Sequence, residues 1–178
     1  MSGFGYKRII LVLALIAALV CSWLLASWYQ EAGKLSPDSV YYLRVAKNIS
    51  EGKIHVEHRA KIDNYLTAPL YPVAIKFASF FIPDWKAAGV WVSKVSLVLL
   101  IIVIFFWGSR AFGTSSGIAA AWLLAFCQYS YSTQLAMAGS VLTEGLFTLL
   151  YVSGAWAIWE AGRNGRILHC VLAGVLVG

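Results

Sequence analysis

The chain alternates between long apolar blocks and short polar joints, with one extended polar stretch near its start. Ile9 to Trp28 contains no charged residue and follows the basic pair Lys7 and Arg8. That is the length a helix needs to cross a hydrocarbon core, about 20 residues. A cleaved signal peptide would have an apolar region of only about 7–15 residues. This block instead ends in Trp23, Trp28 and Tyr29, the pattern of an interfacial aromatic belt. It reads as a retained first span over 9–28. A polar stretch of mixed charge, about 30–86, comes next. A second span is predicted over 87–107, ending at Gly108. The charge-free run from Ala111 to Thr143 is too long for one crossing. It divides into a third span over 117–131, a polar joint through Ser132, Thr133, Gln134 and Ser140, and a fourth span over 141–159. A fifth begins at Ile167 and has only 12 residues up to and including Gly178, too few to cross. The chain therefore reads as the N-terminal part of a longer protein. The predicted fold is all-α, a polytopic transmembrane helical bundle with a long first extracytoplasmic loop.

Composition agrees with that pattern. Hydrophobic residues make up 60% and charged residues 12%, against about 45–50% and about 25% in a soluble domain. A free nucleic-acid binder is excluded on the same ground, although the net charge is +6. The basic residues flank apolar blocks: Lys7 and Arg8, Arg110, and Arg163 with Arg166 all fall on one side. The positive-inside rule makes that side the cytoplasm. The N-terminus is then cytoplasmic and the 30–86 loop faces outward. Cys21, Cys127 and Cys170 lie in separate apolar blocks with no motif spacing, so they suggest neither a zinc site nor a disulfide framework.

The outer loop opens with Ser36-Pro37-Asp38-Ser39. Ser36 suits an N-cap, Pro37 the first helical position, and Asp38 the positive helix N-terminus. A helix should run to about Ser50 and stop at Gly52. Its Tyr42, Leu43, Ala46 and Ile49 share one face, and Arg44, Lys47 and Glu51 another. A second amphipathic helix is expected from Pro69 through Tyr71 and Lys76 towards Phe81, ending at Pro83. Both would lie on the membrane surface, joined by a polar strap over 52–68. Taken alone, Asp38 is a helix-capping acid.

The order of these features resembles the GT-C glycosyltransferases, in particular the branch containing protein O-mannosyltransferases and the lipid A aminoarabinose transferase. The resemblance rests on four features. One is Asp38 a few residues beyond the first span, in Asp38-Ser-Val-Tyr-Tyr-Leu-Arg. Two others are Pro69-Leu-Tyr-Pro72 before the second span and Ser140-Val-Leu-Thr-Glu144 opening the fourth. The last is Leu172-Ala-Gly-Val-Leu-Val-Gly178, similar to the helix before the family's next outer motif. The resemblance implies an enzyme of a cell envelope, in the bacterial inner membrane. Such an enzyme takes a sugar from a polyprenyl-phosphate carrier and transfers it to a lipid, glycan or protein acceptor on the outer face. Carried over, Asp38 is the catalytic base or acceptor-positioning carboxylate. Glu144 is the second acid, implied to bind the carrier phosphate, directly or as ligand to a divalent cation, magnesium or manganese. A carboxylate at a partly dry interface gains basicity. A charge inside the bilayer costs at least about 2.5–3.5 kcal/mol, so Glu144 should have a purpose or a partner.

Tyr71 of the proline–tyrosine–proline segment joins Arg44 and Lys94 as candidates for binding the substrate. Lys94 falls about two turns inside the second span, where it either snorkels to the outer surface or meets the donor phosphate. Arg44 either serves the same phosphate or contacts anionic lipid. His55 and His58, near Glu57 and Asp63, read as solvated strap residues, because no helical pattern holds them on one face. The competing class is a non-catalytic polytopic protein, such as part of a transporter or an assembly subunit. Transporters break their spans with Gly or Pro near the midplane. Here Pro37, Pro69, Pro72 and Pro83 all lie in the outer loop, which favours the enzyme.

Overall fold

The computed structural model describes residues 3–32, 35–53, 70–126, 138–165, 171, 174 and 175. Among the described residues there are six helices and no strand. They are α1 (Gly3–Ala32), α2 (Pro37–Ser50), α3 (Leu70–Ser79), α4 (Trp85–Phe112), α5 (Thr114–Phe126) and α6 (Glu144–Asn164). Two of them, α1 over Ile9–Trp28 and α4, are long and apolar enough to cross a membrane. Only 17% of the apolar window of α1 is buried. Ile9, Val12, Leu13, Ile16, Val20 and Leu24 all point outward, an apolar surface that the core helix of a soluble protein would cover.

α4 is the hub, with α1, α3, α5 and α6 all packed on it, while α2 rests mainly on α3. Two buried clusters follow from this. Ala18 and Ala26 of α1, Leu97 and Ile101 of α4, and Ala121 and Ala125 of α5 form the first. Small residues dominate it, and they let helix backbones approach closely. The second joins Ala46, Tyr71, Ile75 and Ala78 to Ala88, Val90, Val92 and Val141. It ties the loop helices to the start of α4 and to the segment before α6.

The structure moves several predicted boundaries. α4 begins two residues before position 87, because the Asp84 carboxylate caps it by accepting from the Ala87 N–H at 2.9 Å. It passes Gly108 and stops at Gly113, whose φ of +95° suits glycine. Gly108 remains helical because α5 folds back against it: a Cβ there would lie 3.1 Å from the Gly117 Cα. Arg110 consequently sits in the last turn of α4 and not in a loop. α5 starts three residues before position 117, and its predicted end at 131 lies outside the described residues. The helix of the predicted fourth span, α6, begins at Glu144, not at Val141. Val141 is fully buried, and a Cβ on Gly89 would come within 2.8 Å of its Cγ1, so this residue is a plug that pins the entry to α6. Of the predicted 167–178 span, only Val171, Gly174 and Val175 are described, all helical. The strap with His55 and His58, and Cys127 and Cys170, also lie outside the described residues.

The α4–α5 hairpin turns on a single linking residue, so its tightness should be sensitive to bulk. A Cβ on Gly117 would overlap the Ser109 hydroxyl and lie 2.5 Å from the Phe105 carbonyl oxygen. Gly117→Val is expected to lower stability by about 1–3 kcal/mol, the usual cost of overpacking. A thermal melt of the detergent-purified protein checks it. An unchanged melting temperature would mean that the two helices do not pack this closely.

Candidate functional site at one end of the bundle

The sequence around α2 folds as its capping residues dictate. Ser36 is extended (φ −70°, ψ 161°), and its Oγ accepts the Ser39 N–H at 3.1 Å. Pro37 follows in the first turn, where its missing N–H costs nothing. Because Ser36 supplies the cap, Asp38 is released from that duty. Its side chain is exposed in the first turn, where the helix dipole favours a negative charge. Gly52, with φ +72°, ends the segment as predicted. α2 turns Ala46 inward, with Tyr42 and Leu43 packed beside it, and leaves Arg44 and Lys47 exposed. Beyond α2, Glu51 pairs with Lys53 at 2.8 Å. The Lys53 hydrogen bond and charge hold the Glu51 carboxyl below its usual range.

One turn after Asp38, and so on the same face of the helix, Tyr42 reaches across the fold. Its Oη lies 3.3 Å from the Thr143 Oγ1, a contact between residues 101 positions apart. Thr143 stands at the N-cap of α6, and its side chain makes no capping bond there; the hydroxyl goes to Tyr42 instead. Glu144 comes next, exposed in the first turn of α6. The start of the helix packs on α4: Gly145 is buried, and a Cβ there would make ordinary contact with the Ser93 carbonyl oxygen at 3.6 Å.

Tyr71 stands behind this contact. Its ring meets that of Tyr42 edge-on, with centroids 5.4 Å apart. Its Oη lies 2.8 Å from Ser93 Oγ and donates to the Gly89 carbonyl at 3.3 Å. Ser93 in turn donates to the Leu142 carbonyl at 3.3 Å. A chain of ring and hydroxyl contacts thus connects α2, α3, α4 and the entry to α6. Burial pushes the Tyr71 phenol well above its ordinary pKa, and the nearby Glu144 charge pushes in the same direction, while the Ser93 hydrogen bond opposes them. Tyr71 is only 2% exposed. It organises the site from within, and its hydroxyl is committed to α4.

The other predicted residues lie elsewhere. Arg44 is exposed on α2, two positions past Tyr42. Lys94 follows Ser93 but points about 100° around the helix from it. Its Nζ donates to the Ser27 Oγ at 3.0 Å and lies 5.5 Å from the centroid of the Trp23 ring. Lys94 therefore sits in the α1–α4 interface, not beside Tyr71 and Thr143. For a divalent cation, the fit is limited. No three His, Cys, Asp or Glu side chains converge among the described residues. Glu144 could hold a hard cation only together with phosphate oxygens and water, a sharing that magnesium commonly accepts.

Sequence reasoning placed Tyr42 on one face of α2 and Thr143 beside Glu144 without giving either a role, and it passed over Ser93. It also missed Glu160, the one acid between Gly145 and Gly178. Glu160 is 6% exposed in the last turns of α6. Arg110 Nε lies 2.9 Å from its Oε1, yet that oxygen has no well-directed hydrogen bond. The contact is an ion pair off the N–H line. Asn164 donates to the other oxygen at 2.6 Å. The signal was available: an acid three and four residues before Arg163 and Asn164, near the end of an apolar helix.

No protein-family model, curated protein or solved structure matches this chain.

Proposed function

We propose that the chain is part of a polytopic membrane glycosyltransferase of the GT-C type, using a polyprenyl-phosphate sugar on the extracytoplasmic face. The observation that supports this reading is the Tyr42–Thr143 contact. It joins the helix bearing Asp38 to the helix opened by Glu144, so that two acids far apart in sequence serve one end of the bundle. The acceptor would be a hydroxyl on a lipid, glycan or protein. Asp38 would take the hydroxyl proton as the acceptor oxygen attacks the anomeric carbon. The sugar–phosphate bond would break, and polyprenyl phosphate would leave with the electron pair. A base must lie within hydrogen-bond reach of that proton, and the exposure of Asp38 gives an acceptor access. Glu144 would orient the carrier phosphate, through a divalent cation shared with phosphate oxygens. Such a cation would supply charge neutralisation to the leaving phosphate.

Transfer of label from a radioactive polyprenyl-phosphate sugar, in membranes with and without the protein, tests the reading. A non-catalytic membrane subunit would leave transfer unchanged.

The orientation is tested separately. Ser50 and Asn164 are both exposed, and single cysteines placed there in a background without the native three can be labelled with an impermeant maleimide. In intact cells, labelling is expected at position 50 and not at 164, because the basic residues near Arg163 mark the cytoplasmic side. The reverse pattern would place Asp38 in the cytoplasm and remove the basis for an extracytoplasmic site.

A further inference from the structure

At the end of α4 and α6 opposite the candidate site, two arginines from different helices come together. Arg163 stacks its guanidinium on Trp159, 4.6 Å from the ring centroid, and Nη1 donates to the Arg110 carbonyl at 3.5 Å. Trp159 in turn lies 6.4 Å from Trp107. Glu160, held by Asn164, engages Arg110 through Nε. Two guanidiniums against one carboxylate leave an excess of one positive charge. Both arginines are exposed, the Arg110 side chain by 60%. Each guanidinium has five N–H donors, and these contacts engage one nitrogen of each.

We propose that this junction binds a phosphate-bearing anion, and specifically the headgroup of an anionic phospholipid. The inference rests on the reading that α4 and α6 cross the membrane, and it is independent of any sugar transfer. The planar fork of arginine matches phosphate oxygens, and stacking on an aromatic ring fixes the fork in place. Tryptophan pairs of this kind sit at the level of lipid headgroups. Basic pockets between helices at the cytoplasmic end are the usual places for acidic lipids. The exposed Ile158 beside them offers apolar surface for acyl chains, which a free phosphate ion would not use. Glu160 has a defined part: buried and paired, it fixes Arg110 without cancelling the charge of Arg163.

The test uses the full-length protein purified in detergent and native mass spectrometry, with phosphatidylglycerol and phosphatidylcholine of identical chains in equal amounts. Phosphatidylglycerol is expected to be retained about fivefold more, the discrimination that one surface cation gives toward an acidic lipid. Arg163→Gln should bring the ratio close to one, and Arg163→Lys should keep part of the preference. Equal retention of the two lipids by the parent protein overturns the proposal. So does an unchanged ratio in Arg163→Gln with a lowered melting temperature in both lipids, which would assign Arg163 to capping the α4 carbonyls. Displacement of the lipid by millimolar inorganic phosphate would overturn the lipid assignment in favour of a free anion. Release of the protein from membranes by alkaline carbonate would overturn the membrane reading and this inference together, whereas loss of selectivity alone overturns only the inference.

Discussion

Asp38→Asn is expected to abolish sugar transfer while leaving the fold intact. General-base contributions are worth about 10²–10⁴-fold in rate, and asparagine cannot accept the proton. The structural cost should be small for a specific reason. Ser36, not Asp38, provides the N-cap of α2, so the substitution removes only the favourable dipole interaction, about 0.3–1 kcal/mol at an exposed position. Tyr42, one turn on, keeps its ring against Tyr71 and its hydroxyl near Thr143. The measurement is transfer from radiolabelled polyprenyl-phosphate sugar in membranes, with protein level followed in parallel. A variant within about twofold of the parent, far short of a lost base, would return Asp38 to an ordinary helix-terminal acid. Asp38→Glu is the control: it restores a carboxylate one methylene too far, so partial activity is expected.

The sequence made the loop helices legible because their signals are local. Ser36, Pro37 and Gly52 act on their immediate neighbours, and α2 starts and stops where they indicate. That α1 and α4 are apolar helices long enough to cross a membrane was legible for a similar reason, since apolar length and flanking charge need no partner. Both helices nonetheless run past the predicted bounds at each end. What could not be read was set by packing between distant residues. Val141 has the apolar character of a span residue, yet it serves as a plug against Gly89. Gly108 looks like a helix stop, yet it is a contact point for α5. Lys94 has a place in the sequence pattern, but only the fold reveals that it faces Ser27 and Trp23. Asp38 and Glu144 were legible as candidates from their positions at helix starts. Their connection was not, because it runs through Tyr42, Tyr71, Ser93 and Thr143, ordinary residues in a chain rich in aromatics and hydroxyls.

Glu144→Gln carries the second large expectation, and it separates two roles for that acid. If Glu144 orients the carrier phosphate through a shared cation, the variant loses an interaction with a charged group, about 1.5–3 kcal/mol. Donor affinity should then fall by about 10- to 150-fold, and a chelator that weakens the parent should have no effect on the variant. Glutamine keeps the shape of the side chain, and Val141, seated against Gly89, continues to hold the helix entry against α4. The melting temperature should therefore change little, since the carboxylate is exposed and surface pairs contribute about 0–1 kcal/mol. Donor affinity and melting temperature, measured on one preparation with and without chelator, give opposite patterns for the two roles. Unchanged affinity beside a clearly lowered melting temperature would make Glu144 a structural acid of the α6 entry, leaving Asp38 as the one carboxylate assigned to the reaction.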